Sequence, residues 1–185
     1  MIYKSKESKQ HNLTQNKIIL NIIFLLYIAG LCAGCSFACK NSANFDFVKQ
    51  VIFITNTGNS ILLVNKSLLL RDLIMFAIVL ILKYAGILKG LVVCAPFIVA
   101  IQNSSIYCIL LCQYETTIYQ LLFYYVLKDV TISLILILYV YIIIKDIFSN
   151  REDTAKDFKR LSVYCISILI IYVVDYFIKL SIYPR

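Results

Sequence analysis

The sequence contains one histidine and no tryptophan among its 185 residues. His11 lies in a polar N-terminal segment that precedes the first apolar run. Catalysis by cysteine–histidine or serine–histidine pairs needs a base beside the nucleophile, and zinc sites usually include histidine ligands. Because the apolar part of the chain offers no histidine, most ordinary catalytic designs are excluded, and we expect no cofactor and no metal ion.

Charged residues are also scarce, at 15% of the chain, where soluble domains have about 25%. Hydrophobic residues reach 61%, against roughly 45–50% in soluble domains. Residues 18–39 contain no charge at all, and about 20 apolar residues in a helix cross a bilayer core. The sequence therefore predicts an all-α fold, a polytopic transmembrane helix bundle of about five spans in a single domain.

The apolar stretches divide the chain into spans and connections. Residues 1–17 form a polar cytoplasmic tail, residues 40–71 a mixed connection, and residues 145–160 a charged aqueous loop. Pro96 falls in the first turns of the third span and predicts a kink there, since proline removes a backbone donor. The predicted spans within the bundle of residues 18–185 are about 18–38, 70–88, 90–113, 116–144 and 161–180.

Lysine and arginine lie between the apolar runs, although the net charge is +8. A nucleic-acid-binding protein gathers its basic residues on one face, so we expect lipid head groups as partners and no nucleic acid. With the N-terminus in the cytoplasm, eleven Lys and Arg flank the spans inside and six outside, as the positive-inside rule favours. This predicts a multi-pass cell-membrane protein. An even number of spans would follow if residues 116–144 form a re-entrant hairpin.

The first span carries a stripe of small residues. Gly30 and Gly34 form a GxxxG pair that Ala38 extends by one more turn. Stripes of this kind let two helices approach closely in a membrane. We predict that Gly30, Gly34 and Ala38 form a helix-packing face, which also permits a homo-oligomer.

Three cysteines of the same span share a helical face. Cys32, Cys35 and Cys39 could serve redox chemistry or metal binding, but the packing stripe beside them is the favoured interpretation. A disulfide framework belongs to short secreted chains. The residues CAGC at 32–35 also come close to a lipoprotein signal, which leaves lipidation of Cys35 as an alternative.

Five polar residues stand out inside the predicted spans. Gln102 and Asn103 open a short polar run, which should face other helices rather than lipid. Lys128, Asp129 and Asp175 are charged, and a charge at the bilayer centre costs about 2.5–3.5 kcal/mol on insertion scales. Lys128 and Asp129 point about 100° apart on a regular helix, so Lys128 needs another partner, such as Asp175, or a break in the helix. A buried tie between helices and an ion or proton path both remain open.

Four passages of the sequence resemble the stage II sporulation protein M family. They are a glycine-bearing first helix, a short cytoplasmic connection that ends in Lys-Gly, a polar interruption of the long fourth helix, and an ending with an acidic residue, an aromatic and a late proline. In this sequence the passages are NIIFLLYIAGLCAG at 21–34, KYAGILKG at 83–90, LLFYYVLKDVTIS at 121–133 and VVDYFIKLSIYP at 173–184.

This resemblance implies a non-enzymatic scaffold. Family proteins are integral to the mother-cell membrane of spore-forming Firmicutes during engulfment of the forespore. They anchor a complex of two peptidoglycan hydrolases, one a lytic transglycosylase and one an amidase-endopeptidase. By the same resemblance, the connection at 40–71 faces the cell wall and is the expected contact for these partners.

Two other functions compete with the scaffold. A small transporter subunit, such as the substrate-binding membrane component of a vitamin importer, would line a cavity with residues 102–105 and with Lys128 and Asp129. A membrane enzyme would use Asp129 and Asp175 as a carboxylate pair. The sequence does not fix the separation of these two carboxylates, which makes the enzyme the least favoured of the three.

Overall fold

The computed structural model describes residues 2–41, 60–113, 126–149 and 153–182, and the regular structure in these ranges is helical throughout. The all-α fold class predicted from the sequence is confirmed. The elements in chain order are α1 (Ile2–Asn41), α2 (Ser60–Tyr84), a 3₁₀ helix (Gly86–Cys94), α3 (Ala95–Gln113), α4 (Leu127–Phe148) and α5 (Thr154–Ile182).

Four segments of the described chain are long and apolar enough to cross a membrane. They are Asn16–Lys40, Gly86–Cys108, Leu127–Phe148 and Thr154–Ile178. Their exposed side chains are largely Leu, Ile, Val and Phe, which is the surface that lipid requires. The protein is therefore a multi-pass membrane protein. The fifth helix, α2, has a similar length but carries Arg71, Asp72 and Lys83, which are neutralised inside the bundle as described below.

Ion pairs at one end of the bundle fix the direction of four helices. Lys83, near the end of α2, pairs with Asp146 near the end of α4 and with Asp157 near the start of α5. α2 and α4 therefore run toward this end, which we call the Lys83 end, and α5 runs away from it. The 3₁₀ helix and α3 follow α2 directly, so α3 also leads away, toward the opposite end, which we call the Lys128 end.

α1 lies parallel to α3. A methyl group placed on Gly30 would lie 2.5 Å from the carbonyl oxygen of Phe97, and one on Gly34 would lie 2.9 Å from the Cα of Ile101. Higher residue numbers in α1 thus meet higher numbers in α3, and the N-terminal part of α1 belongs to the Lys83 end. The five α-helices of the described ranges alternate in direction, as helices that thread back and forth through a membrane do.

Three boundaries differ from those predicted. α1 begins at Ile2, so the residues before 18 continue the helix instead of forming a separate tail. α2 begins at Ser60 and ends at Tyr84, where residues 70 and 88 were predicted. Gly86, with φ of 59°, ends α2, since this left-handed conformation costs glycine little. The first half of the connection at 40–71 lies largely outside the described residues.

The predicted kink at Pro96 is replaced by a change of helix type. The chain from Gly86 to Cys94 is a 3₁₀ helix, and the α-helix starts only at Ala95. Pro96 therefore sits in the first turn of α3, where its missing N–H removes little from the helix. The part of the fourth predicted span before Val126 lies outside the described residues, and from Leu127 the chain crosses as one continuous helix without turning back.

The charged segment at 145–160 is mostly helical and was wrongly predicted as a loop. α4 continues to Phe148 and α5 begins at Thr154. Asp153 starts α5 because its Oδ1 accepts a hydrogen bond from the backbone N–H of Lys156 at 3.1 Å, a typical N-cap. Asp157 is fully buried in the first turn of α5. Its partners, described next, explain how a carboxylate is tolerated there.

The core between the two ends is apolar and centred on α4. α2, α4 and α5 supply most of its buried side chains, among them Phe76, Val79, Leu136, Val140 and Ile168. An aromatic trio joins the same three helices. The ring of Tyr139 stacks on Phe76 at a centroid distance of 5.3 Å and meets Tyr164 edge-on at 4.8 Å.

Candidate functional site: two polar clusters in the bundle

The Lys83 cluster ties α2, α4 and α5 together at the Lys83 end. It contains Lys83, Tyr84, Asp146, Asp157 and Arg160. Asp157 accepts hydrogen bonds from Lys83 and, at 2.6 Å, from the hydroxyl of Tyr84. Arg160 bonds Asp146 and lies 3.4 Å from Asp157, and Lys83 lies 3.8 Å from Asp146. Two cations thus face two carboxylates.

Burial makes the partners in the Lys83 cluster obligatory. The side chains of Lys83 and Asp157 are 3% and 2% exposed. Removing one member of a buried ion pair leaves an uncompensated charge, which typically costs about 3–5 kcal/mol. The sequence interpretation placed Lys83 at a lipid interface, where its head group would reach water. In the structure Lys83 instead points inward to Asp157.

The Lys128 cluster lies toward the other end and draws on α2, α3, α4 and α5. Asp72 accepts two hydrogen bonds from Arg71, at 2.9 and 2.7 Å, and one from the Tyr172 hydroxyl at 2.7 Å. The Lys128 ammonium lies 4.5 Å from the centre of the Tyr172 ring, within cation–π range. The cluster consists of Arg71, Asp72, Tyr107, Lys128, Asp129 and Tyr172.

Lys128 and Asp129 are close but do not form a direct hydrogen bond. Nζ of Lys128 lies 3.7 Å from Oδ1 of Asp129, beyond hydrogen-bond distance. The other oxygen of Asp129 accepts a hydrogen bond from Tyr107 at 2.7 Å. The two side chains nevertheless lie within ion-pair distance, although the sequence argument expected neighbouring residues on a regular helix to diverge. The pairing of Lys128 with Asp175 stays a prediction. Asp175 is buried one turn beyond Tyr172 and has an interaction of its own.

Four buried polar atoms around the Lys128 cluster have no hydrogen-bond partner among the described residues. They are Oδ1 of Asn103, Nζ of Lys128, Oδ1 of Asp129 and Oγ of Ser133. Each side chain is 8% exposed or less. Native proteins leave few such atoms unpaired. The hydroxyl of Tyr139 in the core is a fifth such atom, and the members of the Lys83 cluster contribute none.

The predicted polar run at 102–105 has one exposed side chain and three buried ones. Gln102 is exposed, and its predicted contact with other helices is wrong. Asn103, Ser104 and Ser105 are buried, because they occupy the face of α3 that meets α1 and α4. Ser105 donates to the carbonyl of Gly34 at 3.1 Å, which joins α3 to α1.

The small-residue stripe of α1 lies against α3. Gly30, Gly34 and Ala38 are buried, and a methyl group on Gly34 would overlap Ser104 and the carbonyl of Ile101. α3 thus occupies the face that was also considered for a homo-oligomer. A dimer through GxxxG would have to displace a helix of the same chain.

The cysteines lie away from this packed face. Cys32 and Cys39 are exposed, Cys35 is half-buried, and all three are free thiols. Within the described ranges no group of three or more His, Cys, Asp or Glu could hold a metal ion. Lipidation of Cys35 stays an alternative that these contacts do not address.

Helical geometry separates the two clusters by an apolar layer. At about 1.5 Å per residue, the stretches that join them along α2, α4 and α5 span roughly 16–26 Å. Lys128 and Asp129 lie in the first turn of a segment that is itself long enough to cross a membrane. The preceding part of the longer span that the sequence predicts, before Val126, lies outside the described residues.

Helical spacing is the sequence signal that could have revealed the missed members. Asp72, Phe76, Val79 and Lys83 recur at intervals of three and four, which puts them on one face of α2 with the core residues. Asp157, Tyr164, Ile168 and Tyr172 follow at intervals of seven, four and four, which likewise puts them on one face of α5. A charged residue in register with buried apolar residues is expected to be buried with them.

Both clusters are suited to holding helices together, and the Lys128 cluster also offers free polar atoms. Comparison with protein-family models, with characterised proteins and with solved structures finds no match to this chain.

Proposed function

We propose that the protein is a non-enzymatic scaffold of the cell membrane, with its N-terminus in the cytoplasm. The observation that supports this most strongly is the use of its intramembrane charges. Lys83 and Arg160 each contact both Asp146 and Asp157, and the four side chains come from three helices. Charges committed to interhelical pairs stabilise a fixed arrangement of spans, which is what an anchor for other proteins needs.

The outer surface supports the same proposal. α1 is packed along α3, while its other side presents Leu25, Ile28 and Phe37 to the surroundings. α5 likewise exposes Ile166, Ile170 and Phe177. Lipid satisfies these faces, and helices of a membrane-bound partner could also do so. A rigid interior with two broad apolar faces suits a protein that holds others at the membrane.

The resemblance to the stage II sporulation protein M family supplies the biological setting of the proposal. The scaffold would act in the mother-cell membrane of a spore-forming Firmicute and would anchor peptidoglycan hydrolases during engulfment. The Lys-Gly connection at 83–90 and the ending at 173–184 carry the resemblance. The contact would lie on the connection after α1, on the wall side of the membrane.

Affinity purification from membranes of sporulating cells tests this function. A tagged full-length protein, extracted in mild detergent, should retain a lytic transglycosylase and an amidase-endopeptidase. An unrelated multi-pass protein with the same tag is the control. Deleting the gene should also stall engulfment, with recovery on complementation. Purification of the protein without either hydrolase, together with normal engulfment in the deletion strain, would contradict the scaffold.

A small transporter subunit is the second candidate, and the unpaired atoms of the Lys128 cluster favour it. Buried polar atoms without partners are a feature of sites that take up a polar substrate between helices. The same purification distinguishes the two functions. ATPase subunits or a tightly bound vitamin in the purified material would support the transporter.

A further inference from the structure

The four unpaired atoms in and around the Lys128 cluster lie on two helices that face each other. The hydrogen bond from Tyr107 to Asp129 joins α3 to α4 at one level of the bundle. α3 runs away from the Lys83 end and α4 runs toward it. One turn nearer the Lys83 end is therefore residue 103 on α3 and residue 133 on α4. Asn103 and Ser133 thus share a level about 5.4 Å from the Tyr107–Asp129 contact.

The unpaired atoms define the chemistry of what could bind between these helices. Asn103 Oδ1 and Asp129 Oδ1 need donors, Lys128 Nζ needs acceptors, and the Ser133 hydroxyl can do either. A ligand that only donates or only accepts would leave part of the set unpaired. A small molecule that does both fits all four atoms.

Charge excludes a simple ion as the best occupant. A cation at the free oxygen of Asp129 would lie beside the Lys128 ammonium, which is 3.7 Å from that oxygen. An anion at Lys128 would lie beside the Asp129 carboxylate for the same reason. Arg71 and Asp72 already neutralise each other through two hydrogen bonds. A neutral ligand adds no buried charge and avoids both repulsions.

We propose that the space between Asn103, Lys128, Asp129 and Ser133 holds ordered water inside the membrane bundle. A buried water typically makes about three hydrogen bonds to otherwise unpaired groups. About one or two waters would therefore satisfy the four atoms. The water bridges Lys128 to Asp129 across the distance that prevents their direct hydrogen bond, and it joins α3 to α4 one turn beyond Tyr107.

Radiolytic hydroxyl labelling in water enriched in oxygen-18 tests the proposal on the full-length protein in nanodiscs. Radicals generated from bound water modify the aromatic side chains next to it. Tyr107 and Tyr172 should take up label, whereas Phe76, buried in the apolar layer, should not. Absence of label at both tyrosines, or equal label at Phe76, would overturn the proposal.

Two variants on neighbouring positions of α3 provide a matched comparison. Asn103→Leu removes the buried acceptor and fills its space, so label at Tyr107 should fall several-fold. Gln102→Leu makes the same replacement on the exposed side of the helix and should leave the label unchanged. Equal labelling in the two variants would contradict a water site at Asn103.

A measurement on the unmodified protein covers the case in which Asn103→Leu fails to fold. Thermal unfolding in nanodiscs is followed with sodium, potassium or chloride as the only varied ion at constant ionic strength. A neutral water site predicts the same midpoint in each. A midpoint that rises with the concentration of one ion and then saturates would show that the site takes an ion, and would overturn the proposal. This outcome would not bear on whether the protein is a scaffold.

Discussion

At the scale of single residues, the structure shows how a membrane protein accommodates a buried charge. Asp157 has three cationic or hydroxyl partners on two helices. Lys128 has an aromatic ring and a carboxylate nearby but no hydrogen bond among the described residues. A buried carboxylate and a buried ammonium are both expensive inside a bilayer, yet only the cost of burying Asp157 is fully offset by protein groups. Lys83, which pairs with Asp157, should therefore depend more strictly on its partners than Lys128 does.

Replacing Asp157 with Asn should destabilise the protein by about 3–5 kcal/mol, because Lys83 would remain buried without its principal counter-charge. Thermal or denaturant unfolding in detergent measures the change. Asp153→Asn is the matched control. Asp153 is an exposed N-cap on the same helix, and Asn caps as well as Asp. Equal stabilities of the two variants would show that Lys83 does not depend on Asp157.

At the scale of elements, α1 and α3 form the closest helix pair of the bundle. Their contact depends on the absence of side chains at Gly30 and Gly34, and Ser105 adds a hydrogen bond to the α1 backbone. α4 is the central helix, since it meets α2, α3 and α5 through the apolar core and both clusters. Besides the apolar core, the helices are thus held side by side by the small-residue contact between α1 and α3 and by the two polar clusters.

Gly34→Ala should weaken the α1–α3 contact, because the added methyl group would overlap the backbone of Ile101 and the side chain of Ser104. Overpacking of this kind typically costs about 1–3 kcal/mol. Gly90→Ala is the control, since a methyl group there meets no atom within 4 Å. Unfolding midpoints of the two variants in the same detergent measure the difference. A Gly34→Ala protein as stable as the control would contradict close packing at this position.

How far the sequence predicts these elements depends on what surrounds each residue. The apolar runs and the small-residue stripe are local patterns, and they predicted the helical class and the face of α1. Lys128 and Asp129 were evident because they interrupt an apolar run. Lys83 and Asp157 were not, because a charge at the end of a run has the same sequence context whether it reaches water or folds inward. Only the partner helix decides between the two, and it lies about 70 residues away.

At the scale of the whole molecule, the described helices alternate in direction and the two polar clusters lie at different levels of the bundle. The Lys83 end collects the start of α1, the 3₁₀ helix after α2, and the end of α4 with the start of α5. The sequence had placed the same three regions on one side of the membrane from their lysines and arginines alone. Contacts of Lys83 with Asp146 and Asp157 bring the end of α2 next to the end of α4 and the start of α5. This evidence does not depend on the number of lysines and arginines on each side.

Reporter fusions should therefore show the N-terminus and the α4–α5 turn on the same side of the membrane. Alkaline phosphatase inserted after residue 150 should give the same activity class as a fusion at the N-terminus. An insertion after residue 50, between α1 and α2, should give the opposite class. Green fluorescent protein at the same sites is the converse reporter. Opposite compartments for the N-terminus and residue 150 would exclude the alternating arrangement.

The parallel pairing of α1 with α3 also has a consequence for synthesis. α1 leaves the ribosome first, and its glycine-lined side has no neighbour until α2 has turned back and α3 has emerged. During that interval α1 is a lone helix in the membrane, held by its apolar surface and not by the contacts of the finished bundle. Assembly of this pair must therefore wait for a later part of the chain. A ribosome that stalls before Ala95 would leave a membrane-inserted but unpaired first helix, a natural substrate for membrane quality control.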